Sequence, residues 1–503
     1  GIAESGYPNY VAYPNTDWYD VIYRDKWMQK HAISVSGKEK RTGYSMSLSY
    51  TDNPGIVENS GYKRYMGRVN LYSDVTSWLR LGTRIWGYQT DCEKSNTGSI
   101  SSMDTQKMVP GVYPYYNGMY GAPEANEEDP QSHNPLWDMN LSRGYAKKNQ
   151  LFTDFYGKIK FLKHFSYDID LYYKDFRDEI QSVDTDYGKF STDQWVAAPK
   201  SPSELYTSMT HNREDHYKLT QILNYAQTVG KHDIAAMVGY EEQHFVQKYS
   251  WHTKMGLQDA SIGDSDSAAT PYSSGGYGTE WGARSVFGRV NYAFDERYLF
   301  EANLRADASS RFSPENRWGF FPSFSAAWRI NKEPFMGSVR GVDNLKLRLS
   351  WGTLGNNAIG NYEWQSIYSN AKYVFGNSLA TGVAISSIAN RNLTWETTQI
   401  SNVGIDFGFL DNRLTGTVDG YYKLTTGILY KPDMYFAVGT ASGPRENIAN
   451  VTNCGIEVEL GWRDRIGDFD YSIKGNMSYN RNRVSKYKGK LEEGWKDGKY
   501  VSN

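Results

Sequence analysis

The chain has 503 residues with 47 Gly, 41 Tyr and 15 Trp, is 39% hydrophobic and 15% aromatic, and carries a formal net charge of −2. That charge argues against nucleic acid as a partner, and no run approaches the roughly 18 apolar residues of a membrane-crossing helix. A soluble chain of this length would ordinarily split into about two to four domains, yet no Pro- or Ser-rich linker, charge block or composition shift offers a place to cut.

Residues 1–30 carry no strand pattern, and the first strand begins near His31. It ends at a short joint, Gly37–Arg41. Further tight joints follow at Ser73–Ser77, Leu162–Phe165, Val229–Lys231, Asp295–Arg297, Leu410–Asn412 and Arg465–Asp468. Between them lie wide excursions at 91–147, 181–211, 250–279, 355–396 and 428–447. In antiparallel strands every tight joint then falls at one end and every long loop at the other. Short turns on one side and long loops on the other are the layout of an outer-membrane β-barrel.

The segments between joints alternate in polarity. Val286, Gly288, Val290, Tyr292 and Phe294 share one face, with Arg289 and Asn291 on the other. Phe300, Ala302, Leu304 and Ala306 oppose Glu301, Asn303, Arg305 and Asp307. Val403, Ile405, Phe407 and Phe409 oppose Asn402 and Asp406, and Ile456, Val458, Leu460 and Trp462 oppose Glu457, Glu459 and Arg463. Period-2 alternation is the strand signature. A soluble β-sandwich alternates identically, so strand length has to separate the two. Ordinary strands run about 5–6 residues, whereas His232–Tyr249 and Phe469–Ser485 each read as one unbroken strand. The expectation is an all-β, antiparallel transmembrane barrel wall of about sixteen strands over 31–485, with lipid on the apolar face and a wet lumen on the other. On that reading Glu301, Arg305, Glu457 and Glu459 face the lumen. Aromatics beside the tight joints (Trp78, Phe161, Phe165, Phe294, Tyr298, Phe409 and Phe469) suit a boundary ring.

Enzymatic readings find little support. The sequence has no nucleophile elbow, Walker sequence or His-Glu-x-x-His. Its eight His are scattered, with no metal-like spacing. Asp259, Asp264 and Asp266 read as a solvated loop rather than a calcium site. No cofactor is expected.

A set of stretches in chain order resembles the SusC/RagA branch of TonB-dependent outer-membrane transporters. They include Asn15-Thr-Asp-Trp18, His31-Ala-Ile-Ser-Val-Ser-Gly37, Gly67-Arg-Val-Asn-Leu71 and Phe287-Gly-Arg-Val-Asn-Tyr292. The most specific are Tyr298 to Phe312, Arg317 to Trp328 and Leu347 to Asn357, with Trp395-Glu-Thr-Thr398 and Asn453-Cys-Gly-Ile-Glu457 after them. The resemblance implies an active importer of oligosaccharides or peptides in the outer membrane of a Gram-negative, Bacteroidota-like bacterium. It also implies a SusD-like surface lipoprotein as lid and energy from TonB delivered through a plug domain. Family members place a signal peptide, an extension domain and the plug before a 22-stranded barrel. The chain is therefore expected to match strands two to seventeen, with 1–30 as the tail of an extracellular loop and 486–503 as the start of another.

Candidate contacts to substrate or lid are the loop aromatics Tyr113, Tyr115, Tyr116, Tyr120, Trp137, Trp195, Trp251, Tyr362, Trp364 and Tyr435. Sugar rings and peptides both pack on such side chains; the alternative is that these rings pack the loops on one another. Cys92 and Cys454 are the only cysteines. In the family's ring they would stand about eleven strands apart, far beyond the roughly 7 Å a disulfide spans, so two separate thiols are expected. Two other functions remain open at this point: a passive porin, and a soluble all-β carbohydrate-binding or glycoside-active protein.

Overall fold

The structure, a computed structural model, describes residues 7–95, 109–122, 134–190, 195–431, 443–488, 494–496 and 499–501. Sixteen long strands form one sheet and follow one another in sequence order. They are β1 (Gln29–Glu39), β2 (Thr42–Asn53), β3 (Tyr62–Asp74), β4 (Leu79–Ser95), β5 (Ser142–Phe161) and β6 (Phe165–Asp184). Then come β7 (Tyr206–Val229), β8 (His232–Leu257), β9 (Ala268–Phe294), β10 (Tyr298–Ser309) and β11 (Trp318–Arg329). The last are β12 (Val342–Asn356), β13 (Glu396–Phe409), β14 (Leu414–Tyr430), β15 (Glu446–Ile466) and β16 (Phe469–Tyr487). Two compact units divide the chain: Gly1–Tyr156, Leu171–Tyr217 and Phe245–Thr279 form one, and Gly157–Asp170, Lys218–His244 and Glu280–Asn503 the other.

The tight joints are hairpins whose backbone matches the strand twist. Leu162 and Lys163 (φ 48° and 59°) and Asp295 and Glu296 (φ 52° and 53°) occupy the left-handed region. Two-residue turns with positive φ continue the right-handed twist of the strands they join. The non-glycine residues there are held by neighbours: Lys231 Nζ and Arg297 both reach Asp295, at 3.1 and 2.6 Å. At the other end the strands run further than their sequence suggests. β8 has 26 residues and β9 has 27, so the excursion read at 250–279 narrows to 258–267.

Register gives the sheet its two chemistries. In the second unit one row runs across eight strands: Tyr292, Phe300, Ala326, Leu349, Val403, Gly420, Ile456 and Tyr479. The next row, one residue along each strand, is Asn291, Glu301, Ser325, Ser350, Asn402, Tyr421, Gly455 and Asn480. A one-residue step in a strand changes face, and here it changes an apolar row into a nearly all-polar one. The apolar row is open: Phe300 is 52% exposed, Val403 52% and Tyr479 65%. Val290, Tyr292, Leu304, Ile405, Val458 and Leu460 all lie on this face, and none belongs to a buried cluster.

The polar face is laced with ion pairs. Arg348 forks between Asp406 (2.8 and 2.9 Å) and Asp419 (both 3.1 Å). Arg305 holds Asp307 at 2.7 Å, lies 3.7 Å from Glu241 and donates to Ser285 Oγ at 2.9 Å. Such half-exposed pairs satisfy one another's charges and contribute little individually to stability.

The buried apolar clusters lie at the long-loop ends of strands, not beneath the sheet. Val183, Leu205, Leu257 and Ala268 form one, Trp18 and Val112 a second, and Phe312, Ile359 and Leu393 a third. A sheet whose apolar face has no protein over it needs an apolar solvent, which is the relation of a barrel wall to a bilayer. Among the described residues no helix is long and apolar enough to cross a membrane, which says nothing of strands.

Cys92 in β4 and Cys454 in β15 are free thiols. Alkylation of the denatured protein without reductant should label both, and a Cys92–Cys454 crosslink found by mass spectrometry would overturn their separation.

Candidate functional site

The described parts of the first long loop, residues 109–122 and 134–140, are folded. Tyr115–Tyr116, Met119–Gly121, Lys189–Phe190 and Trp195–Ala197 build a small four-stranded sheet in which Met119–Gly121 runs parallel to Lys189–Phe190. Asn134, wholly buried, holds the corner. Its Nδ2 donates to the carbonyls of Pro114 (2.9 Å) and Gly121 (3.0 Å), and its Oδ1 accepts from the N–H groups of Leu136 and Trp137. It thereby caps the helix Pro135–Asn140, with Pro at the first helical turn. The N-terminal segment closes on the same loop. Thr16 Oγ1 donates to Val112 O at 2.7 Å and Trp18 Nε1 to Val109 O at 3.0 Å.

Several candidate rings turn out to be structural. Tyr113 is buried, donates to Phe190 O at 3.0 Å, and burial pushes its hydroxyl pKa up to about 12. Tyr120 is buried as well, and desolvation raises its hydroxyl further. Trp137 is half-buried; its Nε1 donates to Tyr187 O at 3.0 Å, and Lys189 Nζ lies over its ring at 4.4 Å. Burial lowers the Lys189 pKa, with Asp138 opposing. Tyr115 is exposed, and Tyr116 meets Tyr10 edge-on at 6.0 Å. Trp251 lies close over Gly275, where a Cβ would stand 2.9 Å from the indole. Trp195 opens a loop strand but its side chain lies outside the described residues, as does all of Tyr435.

Where these loops meet, a polar cleft of about 620 Å³ opens within the first unit. Lys94, Arg143 and Lys200 line it beside Glu93, Asp186 and Asp259. Much of this polarity fastens the loops. Lys200 reaches Asp184 at 2.5 Å, Arg143 donates to Ala260 O, and Thr185 Oγ1 donates to Asn140 O at 2.5 Å. Asp259 accepts from Ser261 N at 2.7 Å, and hydrogen bonding from the Ser261 side chain and then its backbone holds the carboxyl below the usual range.

The excursion 355–396 has two parts. Its base is pinned: Arg311 Nε donates to Asn361 (3.1 Å), Ser313 Oγ to Arg391 O (2.8 Å), and Trp395 Nε1 to Arg317 O (2.9 Å). Tyr362, at φ 67°, accepts from Glu280 N through its hydroxyl, and Trp364 beside it is half-buried. The outer part is a hairpin, Ile367–Phe375 with Ser378–Ser387, turned at Gly376 (φ 61°). Tyr368, Tyr373, Val374, Phe375, Leu379 and Val383 are all exposed. Residues 367–387 contain one charge, Lys372.

Of the four charged residues expected on the lumen side, Glu301 accepts from Asn303 at 2.8 Å and Arg305 is paired as above. Glu457 lies opposite Asp419 and Glu459 opposite Thr417, on the same polar face. Sequence reasoning missed Asn134, because the carbonyls its amide holds, Pro114 and Gly121, lie 20 and 13 positions back in the chain. Asn134→Ala should strand several buried carbonyl and N–H partners and cost roughly 1–3 kcal/mol. Limited proteolysis in residues 109–140 should then accelerate while strand content by circular dichroism stays constant; unchanged cleavage would reject the corner role.

Comparison with known proteins fits this architecture. The family described as "TonB dependent receptor-like, beta-barrel" matches residues 96–503. The chain is 30% identical to the TonB-dependent receptor SusC of Bacteroides thetaiotaomicron, over 94% of this chain and 49% of SusC. It is 28% identical to the TonB-dependent receptor P3 of Formosa agariphila, over 95% of this chain and 48% of that one. The chain thus spans about half the length of the curated relatives it matches. Among solved structures, the RagAB peptide transporter superposes with a TM-score of 0.82 at 22% identity, over 94% of this chain and 52% of that one. The ferric citrate transporter FecA superposes with a TM-score of 0.54 at 10% identity, over 92% and 57%. With its strand order, its two-faced register and this match, the chain belongs to the TonB-dependent receptor family of outer-membrane β-barrel proteins, in the SusC/RagA branch.

Proposed function

We propose that the chain forms most of the wall of an active importer that brings oligosaccharides or peptides across the outer membrane. The observation that carries this reading is the switch from an apolar to a polar row with one residue's step across eight strands. It suits a wall with lipid on one side and a hydrated passage on the other. Long folded loops at one end supply a place to select cargo, which short turns at the other cannot. Tyr115, Tyr116, Trp251, Tyr362 and Trp364 are the ring-bearing candidates that remain there, with Glu301, Arg305, Glu457 and Glu459 along the passage. TonB would act through the plug that family members carry in the same polypeptide. A SusD-like surface lipoprotein would cover the loops, and the bare apolar hairpin 367–387 suits such a partner. The likeness to a peptide transporter and to SusC leaves both cargo classes in view.

The test is uptake by the full-length protein in its own membrane. Growth on the cognate oligosaccharide or peptide should need both the protein and TonB. Equal growth with TonB deleted would reject active import and favour a passive pore.

A further inference from the structure

A ladder of rings stands on the face where the register calls for polar groups. In β2 to β4, Met46, Val69 and Ile85 lie in register on the apolar face, and Ser47, Arg68 and Trp86 lie in register on the other. From Trp86 the rings continue strand by strand. Trp86 stacks on Phe152 of β5, with centroids 5.3 Å apart and planes 26° apart, and Phe152 meets Tyr172 of β6 edge-on at 4.6 Å. Tyr172 meets His216 of β7 at 5.3 Å, and His216 meets Phe245 of β8 at 6.2 Å. All five belong to the first unit and to neighbouring strands of one sheet. At about 4.8 Å per strand the ladder crosses roughly 19 Å of wall. Each ring is half-buried, so it packs on the next and keeps a surface open, and none belongs to a buried cluster.

Hydrogen-bonding side chains border the rings. Tyr88, Gln150, Glu214 and Gln247 each lie two residues from a ring of the ladder, on the same face of its strand. The Tyr88 hydroxyl donates to Gln150 Oε1 at 3.2 Å, Gln247 Nε2 to Asn212 Oδ1 at 2.8 Å, and Asn212 Nδ2 to Glu214 Oε1 at 3.2 Å. Two cations here are neutralised in place: Lys174 lies 4.0 Å from Glu214, and Arg84 holds Asp154, which is 3% exposed. Two are not. Arg68, the register partner of Trp86, is exposed and has no ion pair or hydrogen bond among the described residues. Arg64 donates to Thr90 Oγ1 at 2.9 Å and lies over the Tyr88 ring at 4.7 Å, with no carboxylate partner either.

We propose that this ladder binds an acidic oligosaccharide, with sugar rings lying on the aromatic side chains and a uronate-type carboxylate held by Arg68 beside Arg64. The inference rests on the reading of this face as the passage of an importer, and it narrows the cargo. The C–H faces of sugars pack on aromatic rings. Amides and a carboxylate at the border accept and donate to hydroxyls, and an unpaired guanidinium presents a planar fork that matches a carboxylate. A neutral glycan would use the rings and leave both guanidinium groups without a partner. An extended peptide would need an open strand edge for its backbone, and β4 to β8 are each paired on both sides.

The test is equilibrium dialysis of the purified full-length protein in mild detergent, without TonB, read by mass spectrometry. The probes are hexamers of galacturonic acid and of mannuronic acid, the same hexamers with their carboxyls methyl-esterified, and a pool of hexapeptides. Wild type should bind at least one acid about tenfold more tightly than its ester, and the difference should shrink as salt is raised. Arg68→Gln should erase that difference. Trp86→Leu and Phe245→Leu keep an apolar side chain but remove a ring, and each should weaken acid and ester alike by roughly tenfold. Trp351→Leu, which removes a ring from the apolar face, should change nothing. Equal binding of acid and ester, binding of hexapeptides in place of sugars, no saturable binding of either acid, or wild-type binding by both ring variants would overturn the proposal. If a ring variant fails to fold, Arg68→Gln still decides, because that side chain is exposed. Growth independent of TonB, with Arg68-dependent binding intact, would reject active import and keep the ladder.

Discussion

Val290→Arg or Leu304→Arg is expected to destabilise the folded wall by roughly 2–4 kcal/mol if the position lies near the bilayer midplane. Both side chains are about half exposed on the apolar face, and Val290 lies in register with Ala302 and Leu304 with Pro322. No carboxylate in those rows could pair an arginine introduced there, so the guanidinium would have to snorkel or draw water into the hydrocarbon. Asn291→Arg is the matched control. Asn291 lies one residue away, in register with Glu301, on the face that already carries the Arg305–Asp307 pair. There an arginine meets water and a carboxylate, and its cost should be much smaller. Urea-induced unfolding in vesicles, read by the tryptophan emission, gives the comparison. Equal losses on the two faces would reject the assignment of sides.

Much of this wall is legible in the sequence because its determinants are local. The period-2 pattern needs only a strand and its two solvents, and the tight joints announce themselves through short polar turns such as Asp295–Glu296. Strand extent is less legible. Residues 250–257 of β8 read as loop, yet the strand runs to Leu257, which is buried with Val183 and Leu205, residues too distant in the chain for a local pattern to announce. Least legible is the loop end. Trp18 reaches Val109 O across 91 positions, and Ser313 reaches Arg391 O across 78. Tyr113, Tyr120 and Trp137 look like free binding rings in a sequence, but their partners bury or fasten them. An aromatic count therefore marks the long-loop end of the strands without separating open rings from rings that hold the loops together.

The hairpin 367–387 sharpens that distinction into the second large effect. A two-stranded hairpin alone in water is marginally stable, and a contiguous exposed apolar patch marks an interaction surface. Here Tyr373 and Phe375 pack on each other at 5.0 Å while 68% of each stays exposed, and Val383 is 71% exposed. The base of the same excursion is pinned through Ile359 and Leu393 against Phe312, so the tip can be removed without disturbing that cluster. Replacing residues 368–385 by a short Gly-Asn turn in the full-length protein should leave surface abundance and heat-modifiable mobility of the barrel unchanged. Recovery of the proposed SusD-like surface lipoprotein with the purified protein should fall at least about tenfold, the change expected when several buried aromatic and aliphatic anchors are lost together. Growth on the cognate nutrient should fall with it. Asp411→Ala, in a tight turn at the opposite end, should affect neither. The milder pair Tyr373→Ser and Phe375→Ser should reproduce the loss in part, since it removes two anchors but keeps the strands. If the proposed lipoprotein still co-purifies in full with the tip removed, the hairpin does not dock it.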